Sequence, residues 1–149
     1  MAAQAWHLYN LAKKKIGNAT LNLSLTVFRI TLHQSASNFA TLTLGTYVSL
    51  TSEVGSGNGY SSSGKALTTE AWTVGANASA YKFDADDPLW TATGGTIPNI
   101  KGAVIWLSAA ATANRHLVCR ASLTSTQFTL GIGNTLTLQM NSGGIFTMS

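Results

Sequence analysis

The stretch LNLSLTVFRITLH, residues 21–33, decides the fold. Leu21, Leu23, Leu25 and Val27 hold the odd positions, and Phe28, Ile30 and Leu32 then hold the even ones. Apolar residues alternating at period two mark a half-buried strand, whereas a helix repeats them every three or four. A one-residue change of phase sends every following side chain to the other face. The pattern therefore predicts a bulge or tight bend near Thr26.

The same grammar continues along the chain. Strand-like runs fall at residues 47–50, 71–74, 79–83, 103–107, 116–121, 128–132, 135–140 and 145–148. Between them lie short links rich in turn formers: GSGNGYSSSG, GAN, GGTIPN, GN and NSGG. Many short strands at this spacing predict an antiparallel sandwich or barrel. TLGIGNTLTLQ predicts a local hairpin, with Gly-Asn between two alternating runs. GSGNGYSSSG lacks the Gly-Lys-Ser/Thr of a phosphate cradle and reads as a flexible surface loop.

One segment reads differently. In AQAWHLYNLAKKKIGNAT, Leu8, Leu11, Ala12 and Ile16 recur at three- and four-residue steps, with Trp6 and Tyr9 beside that face. Lys13, Lys14 and Lys15 suit the negative end of a helix, and Gly17 is placed to cap it. The organisation expected is a single-domain, mainly β chain, with a helical segment over residues 1–18 and a sandwich over residues 19–149.

Composition narrows the function. Only 9% of the 149 residues are charged, well under the roughly 25% of ordinary soluble proteins. Roughly a quarter are Ser or Thr, which replace charge as the solvent-facing material. A surface of this kind resists association poorly and predicts a chain that works within an assembly. The net charge of +4 does not imply a nucleic-acid partner, because beyond the three adjacent lysines the basic residues are scattered. Cys119 is the single cysteine, so no internal disulfide forms and no cysteine zinc site is expected; in HLVCRA it reads as a small buried hydrophobe. No cleavable signal pattern and no apolar run of about 18 residues occurs, so synthesis in the cytoplasm without a membrane span is expected.

The candidate chemistry is thin. Asp84, Asp86 and Asp87 gather three of the five carboxylates in FDADDPLW. A calcium loop would need a central glycine and a closing glutamate. A glycosidase would need a second carboxylate, from Glu53 or Glu70, across a cleft. Asp side chains binding nearby N–H groups before Pro88 make a turn, and that reading is preferred. His7, His33 and His116 show no metal-ligand spacing, and no nucleophile elbow occurs. No catalytic residue, metal or cofactor is expected. Trp72, Trp90 and Trp106 read as core rather than as exposed sugar platforms.

Several segments taken together resemble a known class. YNLAKKKIGN (residues 9–18), LTVFRITLH (25–33), GYSSSGKAL (59–67), FDADDPLW (83–90) and the ending NSGGIFTMS are similar, in that order, to small virion proteins of tailed bacteriophages. These are of the type that studs or cements the outer face of the capsid. The resemblance implies a jelly-roll-like β-sandwich that forms a homodimer or homotrimer and clamps the major capsid protein lattice. It implies no enzymatic residues. Trp6 and Tyr9 are the expected anchors to the capsid, with Lys13, Lys14 and Lys15 as helpers, since aromatic side chains dominate interfaces and rim charges affect encounter. Two alternatives are a tail or head-fibre module that binds a host glycan through an exposed tryptophan, and a small β-sandwich glycoside hydrolase using the acids.

Overall fold

A computed structural model describes residues 4–25 and 27–149. The chain is mainly β, built from several antiparallel sheets with one short N-terminal helix, and the sheets do not close into a barrel. The largest sheet joins β1 (His7–Leu8), β9 (Leu117–Ser122), β8 (Gly102–Leu107), β2 (Phe28–His33) and β3 (Lys65–Ala66), in that order. A second sheet joins β12 (Phe146–Met148), β5 (Tyr81–Asp84) and β4 (Ala71–Val74). Two ribbons complete the set: β6 (Leu89–Thr91) pairs with β11 (Thr135–Thr137), and β7 (Ile97–Ile100) pairs with β10 (Phe128–Leu130).

Register sets the two faces of the large sheet. Phe28, Ile30 and Leu32 of β2 lie opposite Leu107, Ile105 and Ala103 of β8, and these six share one face. There Phe28 meets Phe83 of β5 edge-on, with ring centroids 5.1 Å apart, so the three-stranded sheet forms the second layer. The opposite face carries Arg29, Thr31, His33, Val104 and Trp106. Residues 34–64, largely irregular, cover it. Tyr47 stacks on Trp106 at 4.1 Å, and a Cβ on Gly102 would stand 2.3 Å from the Phe39 ring. Cover on both sides explains why GAVIWL in β8 is a continuous apolar run.

The structure departs from the sequence reading in several places. Leu21 and Leu23 are buried but lie outside any strand; Asn22 Oδ1 accepts from Ser24 N–H at 2.9 Å and turns the chain there. Leu25 and Val27 are exposed, and the strand begins only at Phe28. The bend expected at Thr26 lies outside the described residues.

The helix, α1, is Asn10–Gly17, shorter than expected. Trp6 lies outside it, and His7–Leu8 instead form β1 on β9, with Tyr9 N–H donating to the Val118 carbonyl at 3.0 Å. The helical spacing of Leu8 and Ala12 was thus overridden by an available strand edge. Gly17 is the last helical residue, and the left-handed position falls on Ala19 (φ 58°). Residues 47–50 form not a strand but a 3₁₀ turn at Tyr47–Ser49.

The expected hairpin does not form. Asn134 N–H does donate to the Gly131 carbonyl at 3.1 Å, yet β10 and β11 pair with β7 and β6 rather than with each other. Ala92 and Gly133–Asn134 exchange backbone bonds that extend the β6–β11 ribbon toward the turn. The loop at residues 55–64 is pinned as well: Gly57 and Tyr60 exchange backbone bonds, and Tyr60 is buried.

Candidate interaction surface

The three aspartates have separate structural duties. Asp84 pairs with Lys82 at 2.8 Å and accepts from Ala85 N–H. Asp86 accepts from the hydroxyls of Thr68 and Thr69, and Asp87 accepts from Met140 N–H at 2.7 Å. The segment thus ties residues 68–69 and 140 to the end of β5. The other two acids are engaged elsewhere. Glu70 is buried and accepts from Phe28 N–H at 3.2 Å. Glu53 accepts from the Tyr47 and Tyr60 hydroxyls and from Ser63 N–H. Burial first, and the Glu53 carboxylate second, push both phenols up, so they stay protonated as donors. Arg29 completes this cluster by donating to the carbonyls of Ser63 and Gly64, each at 2.8 Å.

Asp86→Asn and Asp87→Asn are expected to cost at most about 1–2 kcal/mol, the range of one local bond. Each variant keeps an amide oxygen as acceptor. Urea denaturation of the two variants checks this, and a loss above that range in both would show that the turn holds more than these bonds.

Of the tryptophans, Trp90 and Trp106 are buried. Trp72 is half-buried and stacks on Tyr81 at 5.8 Å. His33 is fully buried, with Nε2 3.0 Å from Thr31 Oγ1 and Nδ1 within reach of Ser37 Oγ (3.2 Å) and the Thr51 carbonyl (3.4 Å). Burial lowers its pKa to about 4, so it is a neutral core group. Cys119 is buried and its thiol is pushed well up by that burial. No group of three or more His, Cys, Asp or Glu among the described residues could hold a metal ion. No helix among the described residues is long and apolar enough to cross a membrane.

The expected contact residues divide. Tyr9 is fully buried, its hydroxyl donating to the Phe39 carbonyl at 2.7 Å, so it is a core residue and not a surface anchor. Its position one residue past β1 turns its side chain inward, which helical spacing could not show. Lys13 and Lys14 are exposed and Lys15 is half-buried. Trp6 and Lys13 come together on a cleft of about 960 Å³. One wall is residues 4–8 with Lys13, and the other is residues 139–147. The second wall was not among the expected site residues, because residues more than 130 positions apart in the chain meet only through the sheets.

Comparison with protein-family models, curated proteins and solved structures finds no match to this chain.

Proposed function

We propose that this protein is a structural component of a tailed-bacteriophage virion, a decoration or cement protein that binds the major capsid protein on the outer face of the particle. The observation that carries the reading is the cleft between residues 4–8 and 139–147, which gathers a half-buried tryptophan and a lysine without an ion pair among the described residues, on a mainly β unit poor in charge. The resemblance of the segments at residues 9–18 and 141–149 to such virion proteins supports it, since both border this cleft. In this reading the two facing sheets belong to a jelly-roll-like sandwich, the protein acts as a homodimer or homotrimer, and it carries out no reaction. It is made in the host cytoplasm and needs no cofactor, nucleic acid or membrane.

The test adds purified variants to particles lacking the protein and counts bound copies. Trp6→Ala is expected to weaken binding on the order of tenfold with the fold intact, as for a central aromatic anchor. Changing Lys13, Lys14 and Lys15 to alanine should weaken it less and flatten its salt dependence. Tyr9→Ala serves as a contrast, because it should lower stability rather than affinity alone. Full binding by Trp6→Ala would remove the anchor, and absence of the protein from purified particles would remove the reading.

A second reading rests on the half-buried Trp72 stacked on Tyr81, which is 47% exposed. Such a pair suits stacking against a sugar ring, as in a fibre module that binds a host glycan. Glycan-array binding lost in Trp72→Ala would favour it over the capsid reading.

A further inference from the structure

The large cleft lies between two strand edges. β1 ends the five-stranded sheet and β12 ends the three-stranded sheet, and each has a ladder partner on one side only. Residues of both strands line the space, His7 and Leu8 on one wall and Phe146 and Thr147 on the other, with Trp6 just before β1. In β1 the ladder with β9 uses the backbone of His7 and Tyr9, as the bond from Tyr9 N–H to the Val118 carbonyl shows. Antiparallel alternation then turns the N–H and C=O of Leu8 away from β9. Unpaired edge groups of this kind are a template for another strand.

The lining also has a sign. Lys13 is exposed on the rim, and no Asp or Glu lines the cleft. The one ion pair among the described residues, Lys82–Asp84, does not involve it.

We propose that this cleft is a slot for an extended acidic peptide segment of a partner protein, which adds along the β1 edge at Leu8, packs beside Trp6 and sets a carboxylate against Lys13. Backbone pairing to Leu8 supplies register, and the sign of the rim selects the sequence. The slot goes beyond the capsid reading, because its chemistry is the same whichever protein supplies the strand.

The test needs no particles, so its failure is distinct from failure of the capsid reading. The full chain, isotope-labelled, is titrated with a capped eight-residue peptide alternating Thr, Val and Asp. Two control peptides are used: one with Lys for every Asp, and one with Pro at alternate positions. The acidic peptide should shift the amides of residues 6–8 and 146–147 and slow hydrogen exchange at Leu8. The lysine and proline peptides should bind at least tenfold more weakly. Lys13→Glu, a change on an exposed side chain, should reverse the preference between the acidic and basic peptides. Equal binding of all three peptides, shifts confined to other surfaces, or an unchanged preference in Lys13→Glu would overturn the proposal. Dimerisation that protects the same amides in the absence of peptide would overturn it too, since the slot would then belong to a second copy.

Discussion

Replacing Gly64 with alanine is expected to destabilise the protein by at least ~3 kcal/mol and to leave much of it insoluble. Gly64 has φ +63°, and a Cβ there would stand 1.9 Å from the carbonyl oxygen of Ile30. Relief would require β2 or the segment before β3 to move, and both are held. Lys65 pairs with Ile30 in the ladder, and the Arg29 guanidinium grips the carbonyls of Ser63 and Gly64. Gly133 gives the comparison that separates clash from backbone strain. Its φ is +78°, but a Cβ there would have nothing within 4 Å. Gly133→Ala should therefore cost only about 1–2 kcal/mol, the penalty of the left-handed region. Urea midpoints for both variants check the pair, and equal losses would show that the crossing at Ile30 can relax.

The second large effect is on acid stability. His33 has a folded pKa of about 4 against an ordinary 6.5, because burial disfavours its charged form. Between those values the unfolded chain binds a proton that the folded chain refuses. Stability from this group is therefore full above about pH 6.5 and falls as pH drops toward 4, where it levels off. At about 1.4 kcal/mol per pH unit the loss comes to about 3 kcal/mol. The groups touching the ring are neutral: Thr31 Oγ1, Ser37 Oγ, the Thr51 carbonyl and the Phe39 ring. His116 is lowered as well, by partial burial and by Lys15, and acts in the same direction. His33→Gln removes the titrating group, so its unfolding free energy should vary less across this window than that of the parent. Parallel profiles for the two proteins would place the acid sensitivity elsewhere.

What the sequence made legible was local. Phe28, Ile30 and Leu32 announced β2, and Ala71–Val74 emerged as a strand with the expected bounds. Of the carboxylates in FDADDPLW only Asp84 bonds the adjacent N–H as expected of a turn; Asp86 and Asp87 reach Thr68, Thr69 and Met140, distant in the chain, which local turn chemistry could not show. Partner choice was not legible. The Gly131–Asn134 turn formed as its residues dictate, but turn chemistry does not say which strands lie beside it. Tyr9 was misplaced because three- and four-residue spacing continues smoothly from α1 into β1, so periodicity alone could not mark the change to extended backbone. Tyr47, Glu53 and Tyr60 left no motif, since they meet across a largely irregular segment where no helical or strand period relates them. The cleft beside Trp6 was least visible of all, because its two walls lie more than 120 positions apart in the sequence.

That meeting of two distant walls also sets an order in time. His7 pairs with Arg120, and the facing wall is finished only with residues 139–147. A chain emerging from the ribosome N-terminal end first therefore carries Trp6 and Lys13 long before it carries the slot they border. Pairings between such distant segments form late, after nearer contacts have closed the intervening loops. Until then the edge at Leu8 has no opposite wall, and a chain cut short before residue 139 never acquires one. Synthesis through residue 147 is thus required before the cleft exists at all.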